Sequence, residues 1–124
     1  MPYNCGTVIT LSNTDDIVQF QNINGQLNTS EINYAQFVTT KKISACGVLE
    51  SMINYSRTIP DYGFIYLFQR TTITTAPKIT ATTVGTHGLY GTFDHCLLLN
   101  YVPDMDINTI YDKSCQRMFV NCTS

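Results

Sequence analysis

The chain has 124 residues, 44% of them hydrophobic and only 13% charged, with a formal net charge of −2. That is enough to bury a core without staples, and it excludes an intrinsically disordered chain. The charge balance gives no electrostatic case for nucleic acid or an anionic membrane, and the longest apolar runs, 64–68 and 96–99, are too short to span a bilayer. No charged-then-apolar leader opens the chain, so the expectation is a single domain over 1–124, soluble and cytoplasmic.

In chain order, Cys5–Leu11 and Ile17–Ile23 are short Val- and Ile-rich runs split by Ser12-Asn13-Thr14-Asp15-Asp16. Asn and Asp clusters supply turn conformations, so these runs predict a hairpin. Asn24-Gly25 marks a further tight turn. Thr29 or Ser30 followed by Glu31 suggests a helix entrance, with Ile32, Ala35 and Phe37 on one side; alternation of Ile32, Tyr34 and Val38 leaves a strand open. Over Ile43–Tyr55, residues Ile43, Cys46, Leu49, Met52 and Ile53 recur at helical spacing, weakened by Gly47. Pro60 breaks the pattern and biases Ile59 away from helix.

Phe64–Gln69 reads as a central strand, and Thr71–Thr75 and Lys78–Val84 as threonine-rich strands around Pro77. Leu89–Phe93 and His95–Val102 predict a hairpin around Asp94. After Pro103, residues Ile107, Ile110, Tyr111, Cys115 and Met118 form one apolar stripe on an expected helix of three to four turns, capped by Asp104 or Asp106. No repeat, low-complexity tail or linker divides the chain. The order predicts an α+β domain: one antiparallel sheet with helices packed on it and a helix at the C-terminus.

Chemistry-bearing patterns are sparse. Asp104-x-Asp106-x-Asn108 opens like a calcium loop, but an EF-hand needs Gly at its sixth position and Glu at its twelfth, where Thr109 and Cys115 stand. Five cysteines in an odd count, with no Cys-x-x-Cys, fit reduced thiols better than zinc or a disulfide framework. The sequons at Asn28, Asn54 and Asn121 are no more than composition produces. His95 and Cys96, adjacent on an expected strand, would face opposite sides, so a Cys-His nucleophile is not expected. His87 stands in a probable turn. The basic residues are scattered; Lys113 and Arg117, four apart, would share the exposed face of the last helix, and eight Tyr would suit a protein-contact surface.

The C-terminal part resembles profilin, the actin-monomer-binding family. Gly88-Leu89-Tyr90-Gly91-Thr92-Phe93, a turn at Asp94 and Cys96-Leu97-Leu98-Leu99 are similar to that family's last hairpin. Lys113-Ser114-Cys115-Gln116-Arg117-Met118 is similar to its Lys-Lys-Cys-x-x-Met run on a terminal helix. Upstream, Val8–Leu11, Ile17–Phe20 and Leu27-x-x-x-Glu31 resemble the early hairpin and following helix. The resemblance implies a profilin-like fold and a non-catalytic protein that binds monomeric actin in the cytoskeleton without a cofactor, through Asn108, Lys113 and Arg117. The aromatic N-terminal helix that profilins use for poly-proline has no counterpart before Tyr3. An alternative is a structural subunit of a viral or cellular assembly, suited by low charge and abundant Thr, Asn and Tyr. A third candidate, a Cys96-dependent enzyme, requires a reactive thiol.

Overall fold

A computed structural model describes residues 8–21 and 27–124. The chain winds back over itself at an interval of about 25 residues, and each winding (a rung) lies parallel to the one before. Three two-residue strands mark the register: β1 (Thr58–Ile59), β2 (Thr83–Val84) and β3 (Thr109–Ile110). They pair in parallel in the order β1-β2-β3, with Thr58 opposite Thr83 opposite Thr109. Single parallel bridges join Ile43 to Ile73, Val48 to Lys78, Thr75 to Tyr101 and Ile79 to Met105. This is a solenoid, in which each unit buries its apolar face only against its neighbours.

One wall of the solenoid is neither strand nor helix. From Pro60 to Thr71, alternate N–H groups bond back three residues: Gly63 to Pro60, Ile65 to Tyr62, Leu67 to Phe64, Gln69 to Tyr66 and Thr71 to Phe68. The intervening N–H groups of Tyr62, Phe64, Tyr66, Phe68 and Arg70 reach across to carbonyls of Thr86, Gly88, Tyr90, Thr92 and Asp94 in the next rung. The following rung repeats this, with His87, Leu89, Gly91, Phe93 and His95 donating to Asp112, Ser114, Gln116, Met118 and Val120. Every fourth residue adopts positive φ: Tyr62, Tyr66 and Arg70, then His87, Gly91 and His95, then Lys113, Arg117 and Asn121. The wall is thus a ribbon of tandem turns with a four-residue period.

The α+β expectation is overturned: among the described residues there is no α-helix and no antiparallel sheet, and the profilin-like fold is not formed. The predicted terminal helix is replaced by β3 at Thr109–Ile110 and then by the turn ribbon of the last rung, because turns of period four repeat positions almost as a helix of period 3.6 does. Phe64–Gln69 is ribbon as well. Leu89–Phe93 and His95–Val102 do not pair with each other, since the ribbon residues among them bond to the rungs before and after. Of the helix expected over Ile43–Tyr55 only a 3-10 turn, Leu49–Ile53, is formed. It lengthens that winding to about 30 residues, as in the bridges Ile43–Ile73 and Val48–Lys78. At the expected helix entrance Ser30 Oγ accepts from the N–H groups of Ile32 and Asn33, a local turn with no helix after it.

The early hairpin leaves only its turn within the described residues: Asp16 accepts from the N–H groups of Ser12 at 2.7 Å and Asn13 at 2.9 Å. Cys5, Gly6, Thr7, Asn22, Ile23 and the Asn24-Gly25 turn lie outside them.

The solenoid aligns a repeat within the chain. Thr58-Ile59-Pro60-Asp61-Tyr62-Gly63, Thr83-Val84-Gly85-Thr86-His87-Gly88 and Thr109-Ile110-Tyr111-Asp112-Lys113-Ser114 occupy equivalent positions. Five phenylalanines line up in contact along the core, with Phe20–Phe37 (edge-on), Phe37–Phe68 (tilted), Phe68–Phe93 and Phe93–Phe119 (both stacked) centroids 4.8, 5.1, 5.5 and 5.4 Å apart. Around this ladder Ile53, Ile59, Phe64, Ile73, Val84 and Leu89 are fully buried. Each such side chain contributes about 1.5–3 kcal/mol of transfer free energy.

Candidate interaction surface

The residues expected to bind a partner do not lie on one helical face. Asn108 is exposed beside β3, its N–H bonded to the Thr82 carbonyl and its side-chain oxygen accepting from Thr109 Oγ1. Lys113 and Arg117 both take positive-φ positions of the last ribbon and are exposed. Arg117 is tied back to the preceding rung, with one guanidinium nitrogen 3.1 Å from Asp94 Oδ2.

Asp94, at the expected turn beside His95 and Cys96, is the most highly connected polar side chain of this wall. Its carboxylate is fully buried and accepts from Gln69 Nε2 at 3.1 Å and Arg117 at 3.1 Å on Oδ2, and from His95 Nδ1 at 2.6 Å on Oδ1. Asn121 donates to His95 Nε2 at 3.0 Å, so the ring carries its proton on Nδ1, toward the carboxylate. Burial pushes the Asp94 carboxyl upward. The three donors outweigh it and hold the group below its ordinary value, while Asp94 raises the Arg117 guanidinium. The cluster clasps three successive rungs through Gln69, Asp94 and Arg117.

Beside it, aromatic rings line up across rungs. Tyr66 meets Tyr34 at 5.1 Å and Tyr90 at 5.4 Å, and His87 stacks on Tyr62 at 5.4 Å. Tyr66, His87 and Tyr90, with Glu31, Ile32 and Lys113, border a shallow groove of about 400 Å³. This ring packing accounts for Tyr34, Tyr62, Tyr66 and Tyr90, which are half-buried, whereas Tyr55, Tyr101 and Tyr111 are exposed.

The third candidate, a Cys96-dependent enzyme, required a reactive thiol. Cys96 is fully buried, its Sγ donates to the Phe68 carbonyl at 3.0 Å, and burial pushes its thiol up, which disfavours the nucleophilic thiolate. His95 is committed to Asp94 and Asn121. Glu50, buried in the 3-10 turn, accepts from the Ala81 N–H and from Thr80 Oγ1 and serves as a tie between rungs. Asp104 and Asp106 are exposed, and among the described residues no group of three or more His, Cys, Asp or Glu is placed to hold a metal. No described helix is long and apolar enough to cross a membrane.

The most distinctive surface is the end of the last rung. The N–H groups of Lys113, Cys115, Arg117, Phe119 and Asn121 occupy the positions whose counterparts in the two previous rungs donate onward. Among the described residues none of these five has an acceptor. Beside them Ile110 and Tyr111 are 62% and 61% exposed, and Val120 is exposed too. Phe119 ends the phenylalanine ladder, stacked on Phe93. A run of unpaired donors flanked by apolar side chains is a template for another backbone. No protein-family model, curated protein or solved structure matches the chain.

Proposed function

We propose that the chain is a non-catalytic structural subunit of a protein assembly, joined end to end through its last rung. The observation that carries this is the row of five N–H groups on 113–121 that have no acceptor among the described residues. Every bond of the turn ribbon between rungs runs from an N–H of the earlier rung to a carbonyl of the later one. A solenoid built this way is polar. Its trailing end offers donors, whereas on the opposite side of the first ribbon the Leu67 carbonyl accepts from the Phe37 N–H and the Gly63 and Gln69 carbonyls accept from the side chains of Asn28 and Gln36. The occupant we propose is a second copy of this chain, in a heterologous contact that closes into a ring or extends into a filament.

Actin-monomer binding, implied by the profilin resemblance, relied on a basic helical face that is not formed here. Lys113 and Arg117 instead belong to the donor row itself, where the exposed Lys113 charge favours an electron-rich partner and discourages indiscriminate pairing of the edge.

Sedimentation velocity on the purified chain tests the proposal. Species larger than the monomer should grow as concentration rises into the micromolar range. Ile110→Lys combined with Val120→Lys, both at exposed positions, should return the protein to monomer while its circular dichroism stays unchanged. A wild-type chain that remains monomeric up to about 100 µM, well above the range of specific association, overturns it.

A further inference from the structure

We propose that Cys96 and Cys122 form a disulfide under oxidising conditions, stapling the last rung to the one before it. The two residues hold equivalent positions in successive rungs, one after His95 and one after Asn121, both at positive φ. The His95 N–H bonds to the Val120 carbonyl and fixes that register. Neighbouring rungs in such a ladder lie about 4.8 Å apart, inside the Cα–Cα range of roughly 4.4–6.8 Å that a disulfide requires.

The thiols also point the same way. Cys96 Sγ donates to the Phe68 carbonyl at 3.0 Å, and Cys122 Sγ donates to the Phe93 carbonyl at 3.1 Å. That Phe93 oxygen also accepts the Cys96 N–H at 3.1 Å, so the Cys122 sulfur and the Cys96 backbone converge on one atom. One rung further back the column holds Thr71, whose Oγ1 is 3.5 Å from Cys96 Sγ. Cys96 is fully buried and Cys122 half-buried, which makes Cys122 the point of entry.

With oxidised glutathione as oxidant, the Cys122 thiolate attacks one glutathione sulfur, forming a mixed disulfide and expelling the first glutathione thiolate. The Cys96 thiolate then attacks the Cys122 sulfur, forming the internal bond and expelling the second. The two protein thiols lose two protons and two electrons, and one oxidised glutathione becomes two reduced ones. Burial raises both thiols, so the reaction accelerates as pH rises toward 9. The proposal stands independently of end-to-end association.

The test is incubation of the native chain with oxidised glutathione at pH 8.5, followed by non-reducing peptide mapping and thermal melting. The expected result is a Cys96–Cys122 cross-link and a melting temperature raised by on the order of 10 °C, reversed by dithiothreitol. Cys122→Ser and Cys96→Ser should lose both effects, and Cys115→Ser should keep both. A map in which Cys96 or Cys122 pairs instead with Cys5, Cys46 or Cys115, or in which both stay reduced or glutathionylated, overturns the proposal. So does a correct cross-link that leaves the melting temperature unchanged.

Discussion

At the scale of single residues, the fold pays for its turn ribbon in backbone strain. A non-glycine residue at positive φ costs roughly 1–2 kcal/mol, and Tyr66, Arg70, His87, His95, Lys113 and Arg117 all sit there. Gly91 is the one glycine of the column, at φ 58, and the ring of Tyr66 lies 2.6 Å from where a Cβ would project. Gly91→Ala should therefore lose about 1–3 kcal/mol by chemical denaturation, through φ strain and displacement of the ring. Arg70 is exposed at φ 60, so Arg70→Asn should gain about 0.5–1 kcal/mol, because asparagine tolerates this conformation. Equal and small effects from the two substitutions would refute the ribbon geometry. Asp94 gives a pH test. Its folded pKa lies below the ordinary value near 3.8, so its stabilising effect is complete above that value and disappears as pH falls through the folded pKa. Asp94→Asn should cost about 2 kcal/mol at pH 6, discounted for the half-exposed Arg117 partner. The gap between the two proteins' stabilities should close below about pH 3.8 and persist to pH 8; a gap that widens in acid contradicts the clasp.

At the scale of elements, what the sequence disclosed was burial and punctuation, and what it concealed was the partner of each segment. Ile73, Ile79 and Val84, within runs read as strands, are buried, and Ser12–Asp16 does turn as expected. Helix and ribbon were confused because Ile107, Ile110, Tyr111, Cys115 and Met118 satisfy a period between 3.6 and 4 equally well over so short a run. The repeat was there to be read in Thr58-Ile59, Thr83-Val84 and Thr109-Ile110, and in Phe68, Phe93 and Phe119. It was hidden by an interval that shifts by one residue between copies and by the 3-10 turn that lengthens the preceding winding. Lys113 and Arg117 stood out as basic residues, but only the rung register reveals that one of them is spent on Asp94.

At the scale of the whole molecule, a solenoid's stability is a sum over rungs and the contacts between neighbours, so its ends open first. Among the described residues the last rung has one neighbouring rung, and its hydrogen bonding alternates. Ser114, Gln116, Met118, Val120 and Cys122 bond back three residues within the ribbon, whereas Lys113, Cys115, Arg117, Phe119 and Asn121 have no acceptor among the described residues. Residue-resolved amide exchange in dilute solution should therefore alternate along 113–122. The second set should exchange at least about tenfold faster than the first, a difference of about 1.4 kcal/mol in local protection. In the rung before, where both sets are bonded, the corresponding alternation should be absent from 87 to 96. Raising the concentration until the chain associates should then slow Lys113, Cys115, Arg117, Phe119 and Asn121 selectively, because a second copy's carbonyls would occupy just those donors. Association that leaves the alternation intact would mean the copies meet on another face, and uniform protection in the dilute monomer would mean the end is already capped.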